Sequence, residues 1–134
     1  MRAVATLALL PLLAAPAPAA AEEAGFMLCE ALPHITCVLS GDSFYLRGEL
    51  IVLSDAEAPA RYTSACPAAS NRSWLAALKL RDLLNAGPFD LGEASHANEA
   101  DLRLVTRHGR SIGEQLIEAG LAKARSTERA SWCK

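Results

Sequence analysis

Four cysteines constrain this chain more than any other feature: Cys29, Cys37, Cys66 and Cys133. An even number of cysteines in a short exported chain reads as a disulfide framework, because a small core gains from covalent staples. Two bridges are expected, with three possible connectivities that spacing leaves open. Zinc is the competing use of such residues. The chain has neither a C-x-x-C pair nor a His pair at ligand spacing, so the thiols read as bridges rather than metal ligands.

The disulfide reading requires export, and residues 1–21 supply it. Met1-Arg2 gives a positive start, Val4 to Leu13 an apolar run, and the segment to Ala21 small residues and proline, with a cleavage zone around Ala19 to Ala21. A membrane anchor would need about 20 unbroken apolar residues, and Pro11, Pro16 and Pro18 interrupt this stretch. The expected organisation is a signal peptide over 1–21 and one domain over 22–134, released to a periplasm or to the extracellular medium.

Composition then excludes several classes. Half the residues are apolar, which rules out a disordered or collagen-like chain. The formal charge of −2 argues against a generally basic nucleic-acid binder without excluding one. That figure averages two unlike parts. Residues 22–102 hold 5 basic and 12 acidic side chains, and residues 103–134 hold 7 basic and 3 acidic. The basic part is either a solvated strand and helix or a patch of Arg103, Arg107, Arg110, Lys123, Arg125 and Arg129 that docks an acidic protein or a polyanion.

Periodicity places the elements. Ile35, Cys37 and Leu39 alternate, Gly41-Asp42 turns the chain, Phe44 to Leu46 resumes a strand, Arg47-Gly48 turns it again and Leu50 to Leu53 returns. Residues 57–65 read as a loop. Pro67 opens a helix to Asn85 that Gly87-Pro88 ends, with Trp74, Leu78, Leu80, Leu83 and Leu84 available for the core. Phe89 to Leu91 is a short strand, 92–100 a polar connection, and Leu102 to Arg107 a last strand turned by His108-Gly109. Ser111 to Glu114 is a capping box, Ile112, Leu116 and Ile117 form the stripe of a helix closed by Gly120, and 126–132 are expected to add a helical turn before Cys133. The pattern predicts an α+β domain in which a five-stranded β-barrel carries two to three α-helices.

Several of these segments, taken in order, resemble the staphylococcal nuclease (thermonuclease) family, in its secreted bacterial form. Cys37 to Leu46 is similar to the family's D-G-D-T segment, and Leu50 to Ala60 to its I-R-L-x-x-I-D-A-P-E segment. Cys66 with the following helix, and Gly109 through Gly120-Leu121-Ala122, continue the likeness, which covers roughly residues 35–133. The resemblance implies an OB-fold barrel and calcium-dependent hydrolysis of phosphodiester bonds in DNA and RNA. In such a site carboxylates hold the metal, a glutamate assists water, and two arginines stabilise charge that grows on the phosphate.

Little of that machinery is carried over. Asp42 matches the metal-binding aspartate at the turn, and Ser40 replaces the acidic residue two positions earlier. Glu57 stands for the second metal aspartate, Ala60 for the catalytic glutamate, Val52 for the first arginine and Ala100 for the second. Removing one phosphate-stabilising group typically costs about 10²–10³ in rate, so three losses abolish useful turnover. The expectation is a degenerate nuclease fold, a pseudoenzyme serving as a binding or scaffold module and expected to be a monomer. No cofactor is expected beyond residual, weak calcium binding at Asp42 and Glu57. Asp42 also fits a simple turn role after Gly41. His34, His96 and His108 lack partners at metal or triad spacing and read as solvated, while Trp74 and Trp132 read as core and disulfide-shielding residues. The rivals are an active calcium-dependent nuclease and a non-cleaving OB-fold nucleic-acid binder; the latter suits an acidic barrel half poorly, because binding phosphates needs surplus cations.

Overall fold

The computed structural model describes residues 25–62, 65–97, 100–128 and 130–133, together with 3–5, 8 and 11. The expected signal peptide falls outside the described residues but for those five positions, and Arg129 lies outside them too. The elements are β1 (Met27–Leu28), β2 (Cys37–Ser40), β3 (Ser43–Leu46), β4 (Glu49–Leu53), β5 (Ala56–Glu57), α1 (Pro67–Asn85), β6 (Asp90–Leu91), β7 (Ser95–Ala97), β8 (Ala100–Arg103), β9 (Val105–Arg107), β10 (Arg110–Ser111), α2 (Ile112–Glu118) and β11 (Lys123–Ala124). The architecture is α+β, as the periodicity predicts.

The expected meander is β2–β3–β4. Phe44, Leu46, Ile51 and Leu53 are buried, while Tyr45 and Val52 between them are half-buried. The hairpin closes through Arg47 (φ 50°) and Gly48 (φ 81°), the two positive angles of a tight turn that matches strand twist. His108 (φ 51°) and Gly109 (φ 75°) repeat the device between β9 and β10. The largest sheet runs β1-β2-β3-β4-β8-β7, with β1–β2 and β4–β8 parallel, and two smaller sheets run β10-β9-β6 and β11-β5.

The single last strand expected over Leu102 to Arg107 is instead two, β8 and β9. It divides at Leu104, which is 42% exposed, whereas Val105 is fully buried. β8 therefore joins β4 while β9 turns to β6 and β10, and among the described residues the strands do not pair into a closed ring. The polar connection 92–100 likewise holds β7 and the start of β8. Local polarity hid these strands because β7 is the edge of its sheet, where side chains need not be apolar, and residues 101–103 of β8 beside it are only half-buried.

α1 begins at Cys66, whose Sγ accepts the Ala69 N–H at 3.4 Å, with Pro67 in the first turn where no amide is needed. Its buried stripe is Ala69, Ser73, Ala76, Ala77, Leu80, Leu83 and Leu84. Trp74 is off that stripe and 49% exposed, so the expectation of a core tryptophan is wrong. The helix sits directly on the β2–β3 turn. A Cβ at Gly41 would collide with the Ala76 methyl and lie 2.9 Å from that of Ala58. Beneath, Phe26, Phe44 and Phe89 pack with ring centroids 5.6 to 6.1 Å apart.

α2 is capped as expected by Ser111, whose Oγ accepts the Glu114 N–H at 3.0 Å. It ends at Gly120 (φ 74°), with the Leu121 N–H returning to the Leu116 carbonyl. The further helical turn over 126–132 does not form among the described residues. That segment is held by outside contacts instead of its own backbone. Lys123 Nζ donates to the Ser131 carbonyl, the half-buried Trp132 ring lies against Lys123 and Arg72, and Cys133 bonds to Cys66. The connectivity is thus Cys29–Cys37 and Cys66–Cys133. No helix among the described residues is long and apolar enough to cross a membrane.

Candidate functional site

The turn between β2 and β3 carries the densest polar cluster. Asp42 Oδ1 accepts the Ser40 hydroxyl at 2.6 Å, and its Oδ2 accepts the Ala58 N–H at 3.1 Å. The Ser43 hydroxyl lies 2.6 Å from that of Ser40, and both serines are buried. Asp42 is therefore both a turn residue and the centre of a network.

A cation occupies the other side of the carboxylate. Arg125, just past β11, places Nη2 3.3 Å from Asp42 Oδ2 and 2.9 Å from the Ala56 carbonyl, while Nε donates to the Leu53 carbonyl at 3.0 Å. The two side chains are 25% and 15% exposed, so the pair is largely shielded from solvent. β11 delivers it there. Lys123 and Ala124 pair antiparallel with Glu57 and Ala56, and the Arg125 N–H then reaches the Asp55 carbonyl.

Beside this knot lies a cavity of about 300 Å³ between Glu57–Ala60, Ala69 and the C-terminal segment Ala130–Cys133. Its walls mix alanine methyls and Pro59 with the polar groups of Glu57, Ser131 and Trp132, and among the described lining residues Glu57 supplies the carboxylate. Ala60 is exposed, and Val52 is half-buried on β4 between Ser43 and Leu102. Ala100 opens β8 opposite Ala97. No group of three or more His, Cys, Asp or Glu side chains with metal-holding geometry exists among the described residues.

The basic residues are engaged separately. Arg103 lies 3.8 Å from Glu49, Arg107 donates to the Gly87 and Pro88 carbonyls at the end of α1, and Arg110 pairs with Glu118 at 2.8 Å. Arg107 and Arg110 face one another across the β9–β10 hairpin. Lys123 covers Trp132 and Arg125 covers Asp42, so the described members share no common partner. Of the histidines, His34 packs against Tyr45 at 5.1 Å, His96 is on β7, and His108 is exposed at its turn.

Two further groups escape any sequence pattern. The Asp55 carboxylate accepts the Ser111 hydroxyl through Oδ2 and presses on Gly113, where a Cβ would overlap its oxygen. Its negative charge thus lies at the start of α2, the favourable end of the helix dipole. Glu49, beside Asp101 and Arg103, has its carboxyl raised above the usual range. The hydrogen bond shared with Asp101 is the main cause, with burial adding to it and Arg103 opposing it. Compared with protein-family models and with curated proteins, the chain matches none.

Proposed function

We propose that this chain is an exported domain of the thermonuclease-like OB class that has lost hydrolysis and works as a binding or scaffold module. The observation that carries the reading is Arg125. Its guanidinium sits on the carboxylate that the resemblance assigns to calcium, and Ser40 and Ala58 each take a further acceptor position of Asp42. Calcium needs six to eight oxygen ligands. A carboxylate committed to a resident cation and two protein donors does not fit that role, and Glu57 alone does not replace it.

The reacting groups point the same way. Val52, Ala60 and Ala100 can neither neutralise a phosphate nor move a proton. Two formed disulfides support an oxidising compartment and hence export. The described members of the basic segment are each held by a different partner and form no shared patch, which disfavours the nucleic-acid binder. The test is incubation of the purified, oxidised protein with heat-denatured DNA, in calcium and in EDTA. No cleavage is expected in either. Calcium-dependent cleavage that persists after contaminating nucleases are removed would overturn the proposal, and a salt-dependent gel shift without cleavage would favour nucleic-acid binding.

A further inference from the structure

Next to the degenerate site, Arg61 holds an arrangement that turn formation does not require. Its Nη1 donates to the Cys29 and Val38 carbonyls at 3.2 and 3.4 Å, which fixes the guanidinium against β1 and β2. Nη2 donates to the Tyr62 hydroxyl at 2.7 Å. The Nε–H is buried and has no acceptor among the described residues. No carboxylate among them pairs with Arg61 either. A full positive charge is thus met only by neutral acceptors, with one buried donor idle, an arrangement that native structures rarely leave unexplained.

Two aromatic rings flank this charge. The Arg61 Cζ lies 4.9 Å from the Tyr62 ring centre and 5.5 Å from that of Trp74. Both rings remain open to solvent, Tyr62 at 82% and Trp74 at 49%. Tyr62 is also held at φ 62°, a left-handed conformation that costs a non-glycine residue about 1–2 kcal/mol. The ring is therefore placed against a local preference. Between the rings runs a cleft of about 470 Å³, lined by Arg61, Tyr62, Pro67, Ser70, Asn71 and Trp74. That volume falls in the range of small-molecule sites.

We infer that this cleft binds a small aromatic monocarboxylate. Its ring stacks on Trp74 and Tyr62, and its carboxylate displaces the Tyr62 hydroxyl to take the Nη2–H and Nε–H edge of Arg61. Those two donors are parallel in any guanidinium and match two carboxylate oxygens. Asn71 and Ser70 offer further polar contacts at the wall. Among the described residues Arg61 is the only cation lining the cleft, which suits one anionic group and not a phosphate chain. The inference goes beyond the loss of hydrolysis and does not depend on it.

The test is titration of the oxidised, ¹⁵N-labelled protein with 2-naphthoate and, separately, with the uncharged 2-naphthylmethanol, followed by two-dimensional NMR. The Trp74 indole N–H and the Arg61 Nε–H should shift saturably with naphthoate. The alcohol should bind at least tenfold more weakly, since a hydrogen bond to a charged group contributes more than a neutral one. Arg61→Met and Trp74→Ala should each weaken naphthoate about tenfold or more. Because Arg61 also ties β1 to β2, the half-exposed Trp74→Ala carries the test if Arg61→Met does not fold. Absence of saturable shifts, equal binding of acid and alcohol, or wild-type affinity in Trp74→Ala would each overturn the inference.

Discussion

Replacing Arg125 with methionine tests the arrangement on which the functional reading stands. The substitution keeps the apolar stem and removes the guanidinium. It breaks the 3.3 Å ion pair with Asp42 and the bonds to the Leu53 and Ala56 carbonyls. A hydrogen bond to a charged group contributes about 1.5–3 kcal/mol, but such values do not add for groups sharing one side chain. Water can also reach the vacated side, because Arg125 is a quarter exposed. The expected loss is therefore about 2–4 kcal/mol, below the simple sum of about 4.5–9 kcal/mol. For a domain of this size that corresponds to a fall in Tm of roughly 10 °C.

Chemical unfolding monitored by circular dichroism measures the loss directly. A double-mutant cycle with Asp42→Asn should return a coupling of about 1 kcal/mol or more, because the two changes disable one contact. Arg125→Lys should recover only part of the stability, since an ammonium cannot present the same planar set of donors. A cost below about 0.5 kcal/mol for Arg125→Met, the range of an ordinary surface change, would refute the reasoning. So would strict additivity with Asp42→Asn.

Three other outcomes follow from the structure. Gly41→Ala should destabilise by about 1–3 kcal/mol in thermal unfolding, because the new methyl meets Ala76 and Ala58 where α1 rests on the turn. Replacing Cys66 and Cys133 with serine opens a closure spanning 67 residues and should cost about 2–4 kcal/mol against the oxidised parent. Glu49 titrates above its ordinary value through Asp101, so the folded state holds the proton more tightly than the unfolded chain. That contribution is complete below the unfolded pKa and is lost as pH rises through the raised one. Urea unfolding of Glu49→Gln between pH 3 and 7 should therefore lack the corresponding decline seen in the parent; identical pH profiles would contradict it.

Much of the local structure was legible because short-range chemistry enforces it. Arg47-Gly48 and His108-Gly109 turn the chain where positive φ is needed, Pro67 opens α1, and Ser111 caps α2. The failures share a cause. Trp74 looks like a core residue by type, yet the buried stripe of α1 passes beside it. The strand through Leu104 looks continuous, but its two halves serve different sheets. Which neighbour a strand or helix face meets is not encoded in its own periodicity.

The same division runs through the site. Residue types alone dictate that the four cysteines pair, that Gly41-Asp42 turns the chain, and that Val52, Ala60 and Ala100 have no acid–base or phosphate-binding chemistry. Side-chain chemistry is a property of the residue and needs no fold. Long-range packing selects which cysteines meet, brings Arg125 across 83 positions to Asp42, and lays Arg61 against both Tyr62 and Trp74. A basic residue read in sequence is simply a charge on a basic segment. Whether that charge faces water, a carboxylate or an aromatic ring depends on long-range pairing, here of β11 with β5 and of β1 with β2.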